Sequence, residues 1–328
     1  MSPMEARVRS QTMRLTLRAL GMAVASFAVA TAVRDLARPR RRRADAIVEV
    51  PQAACSSRES RRLHGSAGLL AASVLADSAI EHYRGAYENP GMYAPLVASG
   101  ATLILALRAS LGGGAASAAR TRTYRAAFVV GLAGFAFHVR NIAKRPGGLS
   151  WLNLFYGAPT AAPAALSAAA VAGLAGDDVA GRSNAVSRWF GDRLGAMLTL
   201  FTSVALLATS GEAALLHFRG AFHNPVMWTP VALPPIAALL VARATVRADA
   251  ARLAAARAWL RATAFVGFAG VAMHAYGVSR AMGGFRNWSQ NVIDGPPLPA
   301  PPSFTALALT GLAGLSLPER EQEVRRPA

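Results

Sequence analysis

Six histidines occur in the 328-residue chain, and four of them stand at paired positions. His82 and His217 open the segments HYRGAYENPGMYAP and HFRGAFHNPVMWTP, identical at eight of fourteen positions and aromatic for aromatic at three more. His138 and His274 close the segments VGLAGFAFH and VGFAGVAMH, 136 residues apart. Two neutral imidazoles at one depth can hold a haem iron from both sides, and an arginine near the surface can pair with the propionates. His82, His138, His217 and His274, with Arg84 and Arg219, are therefore the candidate residues for binding haem b. Gly131, Gly134, Gly267 and Gly270 would leave room beside the second pair of histidines for a flat macrocycle. A competing reading of the same residues is architectural. Interfacial histidine and arginine cap helix ends, bond loop backbone and snorkel to lipid head groups, while glycine admits close helix packing.

Carboxylates form a second constellation. Asp77 aligns with Glu212, and Glu88 aligns with His223. Asp77, His82, Glu88 and His138, or Glu212, His217, His223 and His274, offer mixed oxygen and nitrogen donors for a non-haem iron, manganese or zinc ion. Asp77 and Glu212 lie inside otherwise apolar stretches, where an acid is costly and is usually placed for function, so a proton or ion path is the other reading. The single Cys55 excludes an internal disulfide, a four-cysteine iron–sulfur cluster and a c-type haem attachment. No Walker loop, dinucleotide fingerprint, nucleophile elbow or HExxH is present, and no residue is assigned a catalytic role.

The elements that must position these residues follow from composition. Hydrophobic residues make up 53% of the chain and charged ones 16%, which excludes an ordinary water-soluble globule and fits a polytopic membrane protein. Basic residues outnumber acidic ones 35 to 17, and all but Lys144 are arginine. No compact basic module interleaved with aromatics occurs, so the charge reads as cationic loops against anionic lipid, with no nucleic-acid partner.

An apolar stretch at 15–33 is followed by Arg34, Arg38 and the run Arg40 to Arg43, which predicts a retained N-terminal helix; 44–62 is read as a polar linker. Eight further apolar segments fall at about 65–83, 92–107, 122–143, 158–176, 194–217, 226–242, 259–279 and 302–317. The paired motifs make 65–176 and 200–314 two copies of one four-helix unit. The expected fold is thus an all-α integral membrane protein of two tandem parallel four-helix repeats. Its parts are an N-terminal region (1–64), repeat 1 (65–176), a connector (177–199), repeat 2 (200–317) and a polar tail (318–328).

Four spans per copy give both copies the same polarity, related by a pseudo-twofold axis along the membrane normal. Loops and helix ends on one side carry 24 basic residues against 7 on the other, which makes the arginine-rich face cytoplasmic in a bacterial-type inner membrane and puts the paired motifs on the outer face. Asn89–Pro90 and Asn224–Pro225 read as turns, and the aromatics around them as an interfacial belt. The functional expectation is a haem b electron-transfer or anchor subunit between an outer-face dehydrogenase and the quinone pool. The alternatives are a small-solute or ion transporter using the Asp77 and Glu212 spans, or a structural subunit with no ligand.

Overall fold

The computed structural model describes residues 52–112, 118–157, 160–181 and 183–317, so the expected N-terminal helix at 15–33 and the tail lie outside the described residues. Ten α-helices are described: α1 (Gln52–Arg84), α2 (Ala94–Ser110), α3 (Ala118–Ala143), α4 (Trp151–Phe155), α5 (Ala161–Val179), α6 (Ser187–Phe190), α7 (Leu194–Arg219), α8 (Thr229–Val246), α9 (Ala250–Arg280) and α10 (Pro302–Gly314). No strand occurs among the described residues. Six helices are long and apolar enough to cross a membrane: α1, α2, α3, α7, α8 and α9, with α2 and α8 each lengthened by the short turn before it. The fold is thus compatible with a polytopic membrane protein. The eight expected crossings are not all matched, because α5 and α10 fall outside that group; α10 has only 13 residues, about 20 Å at 1.5 Å per residue.

Position in the bundle separates these helices. In the apolar windows of α1 and α3, 83% and 17% of residues respectively are buried inside the protein, which makes α1 a core helix and α3 a peripheral one. Within the first half α1 packs on α2 and α5, and α5 on α3; within the second, α8 packs on α7 and α9, and α10 on α7 and α9. The halves join chiefly where α10 lies against α1. There the Ser66 hydroxyl reaches the Ala306 carbonyl at 2.7 Å and the Thr310 hydroxyl at 2.6 Å. α10 is buried along its length except at Ser303, and its residues are small enough to approach α7 backbone to backbone where Gly195 meets Gly314. The corresponding contact between α5 and α7 is slight, so the halves part on that side.

The polar linker expected at 44–62 is partly helix. Pro51 precedes the first turn and no breaker follows before Gly65, so α1 starts at Gln52. Its first turns are packed, with the Ser60 hydroxyl bonded to the Gly176 carbonyl at 2.7 Å and Glu59 paired with Arg62 at 2.7 Å. α9 likewise begins before its apolar run, because the Asp249 carboxylate caps it by accepting the Arg252 N–H at 2.7 Å.

The two sequence-matched hairpins have matched geometry. The 3₁₀ turns Pro90–Tyr93 and Pro225–Trp228 are capped by Asn89 and Asn224, whose side chains accept from Gly91 N–H at 2.8 Å and Val226 N–H at 3.0 Å. Ala86 and Tyr87 in one hairpin, and Ala221 and Phe222 in the other, take positive φ between 46° and 54°. Such backbone is disfavoured for side chains with a Cβ and persists only when its surroundings over-determine it. Ring stacking does so here: Tyr87 lies on Tyr93 at 4.6 Å between centroids, and Phe222 on Trp228 at 4.0 Å. After α3 and α9 the side-chain amides of Asn153 and Asn291 each bridge two carbonyls of a glycine turn, at 2.8 and 2.9 Å in both cases.

Candidate functional site

Each hairpin histidine is tied to its own loop. His82 Nδ1 lies 2.6 Å from the Met92 carbonyl oxygen and His217 Nδ1 lies 2.6 Å from that of Met227. A carbonyl can only accept, so Nδ1 carries a proton and donates it to the bond. His274 makes the same kind of bond, from Nδ1 to the Pro297 carbonyl at 2.9 Å. This is the arrangement that orients metal-bound imidazoles, and equally that of a histidine holding a loop.

Gly131 and Gly267 open no slot beside His138 and His274. A Cβ on Gly131 would come within 2.6 Å of the Pro163 carbonyl, and one on Gly267 within 2.7 Å of the Pro301 carbonyl. α5 and α10 occupy the groove, and their side chains close it: the Ser167 hydroxyl donates to the Phe128 carbonyl at 3.0 Å and the Thr305 hydroxyl to the Ala264 carbonyl at 2.7 Å. Small residues in a membrane helix make space for whatever packs there, and here that is protein.

The mixed donor sets also fail to assemble. Among the described residues no three of His, Cys, Asp and Glu converge as a group able to hold a metal ion. Glu88 and His223 lie exposed in the hairpin loops, with His223 Nδ1 bonded to the Gly220 carbonyl at 3.0 Å.

What the fold does bring together is a cavity of about 2140 Å³ on the side where α5 and α7 part. It is several times a usual small-molecule pocket of roughly 300–1,000 Å³. Its walls come from α1, α3, α4, α5, α7, α8, α9 and α10 and are largely apolar, with Ala, Leu, Val and Phe the commonest residues. Asp77 and Glu212 both line it, and each lies within electrostatic reach of the other. His217 and His274 line it too, again close enough to feel each other's charge, together with Arg84, Arg219 and His223. His82, Glu88 and His138 are not part of its wall.

The cavity's cations already have partners. Arg84 bonds Glu81 at 2.8 Å and Asp294 at 3.3 Å. Arg219 sits over the Phe155 ring at 5.2 Å and reaches the Leu154 carbonyl, and Arg280 sits over Tyr276 at 6.0 Å. The Asp77 carboxylate, by contrast, makes no hydrogen bond or ion pair with any described residue; the charges of Glu81, Glu212 and Arg84 act on it.

A second polar site has no counterpart in the expectations. His64, Arg120, Tyr124 and Asp177 form a fully buried cluster at the arginine-rich end of the first half, none more than 4% exposed. The Arg120 guanidinium grips both oxygens of Asp177, His64 Nε2 lies 3.4 Å from Asp177, and His64 Nδ1 lies 3.1 Å from the Tyr124 hydroxyl. Gly173 and Gly176 make room for the Tyr124 and His64 rings. In the second half the matching Gly311 and Gly314 face Leu260 and Thr199 instead, so an apolar core stands where the first half has ions. The sequence signal was present as a mismatch, a His, an Arg, a Tyr and an Asp that the aligned positions 199, 256, 260 and 315 do not share.

Comparison with known proteins finds no matching protein-family model, no matching curated protein and no matching solved structure.

Proposed function

We propose that this chain is a membrane transporter of two parallel four-helix halves, which carries a small amphipathic solute through the cavity between them. The observation that supports this is the cavity itself, lined by both halves and holding Asp77 and Glu212 at aligned positions. Parallel repeats related by an axis along the membrane normal commonly place their substrate at the repeat interface, near mid-depth. Asp77 and Glu212 each stand five residues, about 7.5 Å of helix, below the hairpin histidines. In this reading α5 and α10 complete eight membrane-embedded segments, and the arginine-rich side is cytoplasmic in an inner membrane.

The test uses cysteine access. On a Cys55→Ser background, Ala208→Cys places one thiol in the α7 wall of the cavity. Labelling by a membrane-impermeant maleimide from each side in turn supports transport. Labelling from one side alone reduces the site to a binding cavity, and labelling from neither overturns the proposal.

A haem b electron carrier, docked to an outer-face dehydrogenase and the quinone pool, is the second reading. His217 and His274 favour it, since both line one cavity with Nδ1 already engaged. A Soret band after haem supplementation, lost in His274→Ala, would place this reading ahead of transport.

A further inference from the structure

We infer that the corner between α8 and α9 binds the phosphate head group of an anionic glycerophospholipid, held by Arg243, Arg247 and Arg252. The inference rests on α8 and α9 crossing a membrane and not on transport, since none of these residues lines the cavity between the halves.

Geometry comes first. Arg243 and Arg247 stand one helical turn apart at the end of α8, and Arg252 lies in the first turn of α9. Together they surround a shallow cavity of about 380 Å³, whose remaining wall is Ala242 and Val246. The chain itself holds Arg252 in place: its Nη1 pairs with Asp249 Oδ2 at 2.5 Å and reaches the Arg247 carbonyl at 3.5 Å. Asp249 is fully engaged, because its Oδ1 accepts the Arg252 N–H. Arg243 and Arg247 are exposed, and neither pairs with a carboxylate among the described residues. Three guanidiniums therefore face one carboxylate, and the corner keeps an excess of positive charge.

Two features choose the ligand. Guanidiniums present a planar fork that matches phosphate oxygens and are more weakly hydrated than an ammonium, so three around one cavity suit a group that offers several oxygens. Val246 supplies the second feature. It is 77% exposed beside the arginines, an apolar contact that a free anion leaves unused and that the hydrocarbon of a lipid covers. Basic pockets beside membrane helices take anionic lipid head groups in this way. The first half lacks the set: Arg108 aligns with Arg243, but Gly112 and Ala116 align with Arg247 and Arg252. The site thus belongs to the second half.

The experiment titrates full-length protein in detergent micelles with phosphatidylglycerol and with phosphatidylcholine of the same acyl chains, and counts bound lipid by native mass spectrometry. The expected result is phosphatidylglycerol bound about tenfold or more tighter than phosphatidylcholine. That preference should be abolished in Arg243→Gln/Arg247→Gln/Arg252→Gln and kept in Arg108→Gln/Arg122→Gln/Arg125→Gln, which removes the same charge from the first half. Thermal unfolding in the same detergent reads the fold of both variants; if the first does not fold, Arg247→Gln alone should weaken phosphatidylglycerol about fivefold. Equal loss in the two triple variants shows diffuse surface charge and overturns the site, as does equal binding of the two lipids to wild-type protein. Displacement of phosphatidylglycerol by an equal concentration of inorganic phosphate makes this a free-anion site and overturns the lipid assignment. Each of these failures leaves the transport reading to its own test at Ala208→Cys.

Discussion

Arg120 and Asp177 meet through two hydrogen bonds in full burial, joining the start of α3 to the end of α5. A buried ion pair of this kind is a poor source of net stability, because desolvation offsets most of the attraction, yet removing one partner strands the other. Arg120→Ala should therefore lower stability by about 3–5 kcal/mol, read as loss of the folded fraction in detergent titration. The second half supplies the compensating change. Replacing His64, Arg120, Tyr124 and Asp177 together by Thr, Ala, Leu and Leu, the residues aligned there, should restore most of the loss; a quadruple variant as unstable as Arg120→Ala would show that the cluster does more than fill space.

Glycine identity should matter on the packed face and not elsewhere. Gly131→Ala and Gly267→Ala force a Cβ against the carbonyls of Pro163 and Pro301, a clash worth about 1–3 kcal/mol as overpacking. Gly100 has nothing within 4 Å of its Cβ position, so Gly100→Ala should be neutral or slightly stabilising. Thermal unfolding of the three variants in one detergent checks the ranking.

The hairpin histidines should behave as loop holders. His82→Ala removes the bond to the Met92 carbonyl, worth about 1 kcal/mol, and with it a restraint on the positive-φ pair Ala86 and Tyr87. Limited proteolysis should then cut between 85 and 92 faster than in wild type, and His217→Ala should do the same between 220 and 227. Unchanged cleavage in both would remove the loop role.

Reporter fusions after Arg252 should report the cytoplasm and fusions after Gly91 and Gly148 the outer compartment, as the arginine distribution requires. Gly91 and Gly148 reporting opposite sides would mean that the chain does not cross the membrane twice between α1 and α4.

Local signals were legible in the sequence. Apolar runs with arginine-rich flanks mark α1, α2, α3, α7, α8 and α9 as long and apolar enough to cross a membrane, because hydropathy adds residue by residue along a helix. The Asn-Pro turns with their histidines and stacked rings are contained within fourteen residues, so the repeated motif carried them whole. The start of α1 at Gln52 is not legible from polarity, because the polar residues Glu59 and Ser60 are helical and packed. Tertiary structure alone decided the rest. Whether the groove at Gly131 and Gly267 takes a macrocycle or a helix depends on Pro163 and Pro301, some thirty residues away, and they fill it. The cluster of His64, Arg120, Tyr124 and Asp177 and the cavity shared by Asp77 and Glu212 come from groups more than fifty residues apart. Burial and electrostatics act through distance in space, and that distance is set only when α10 closes on α1 and leaves α5 apart from α7.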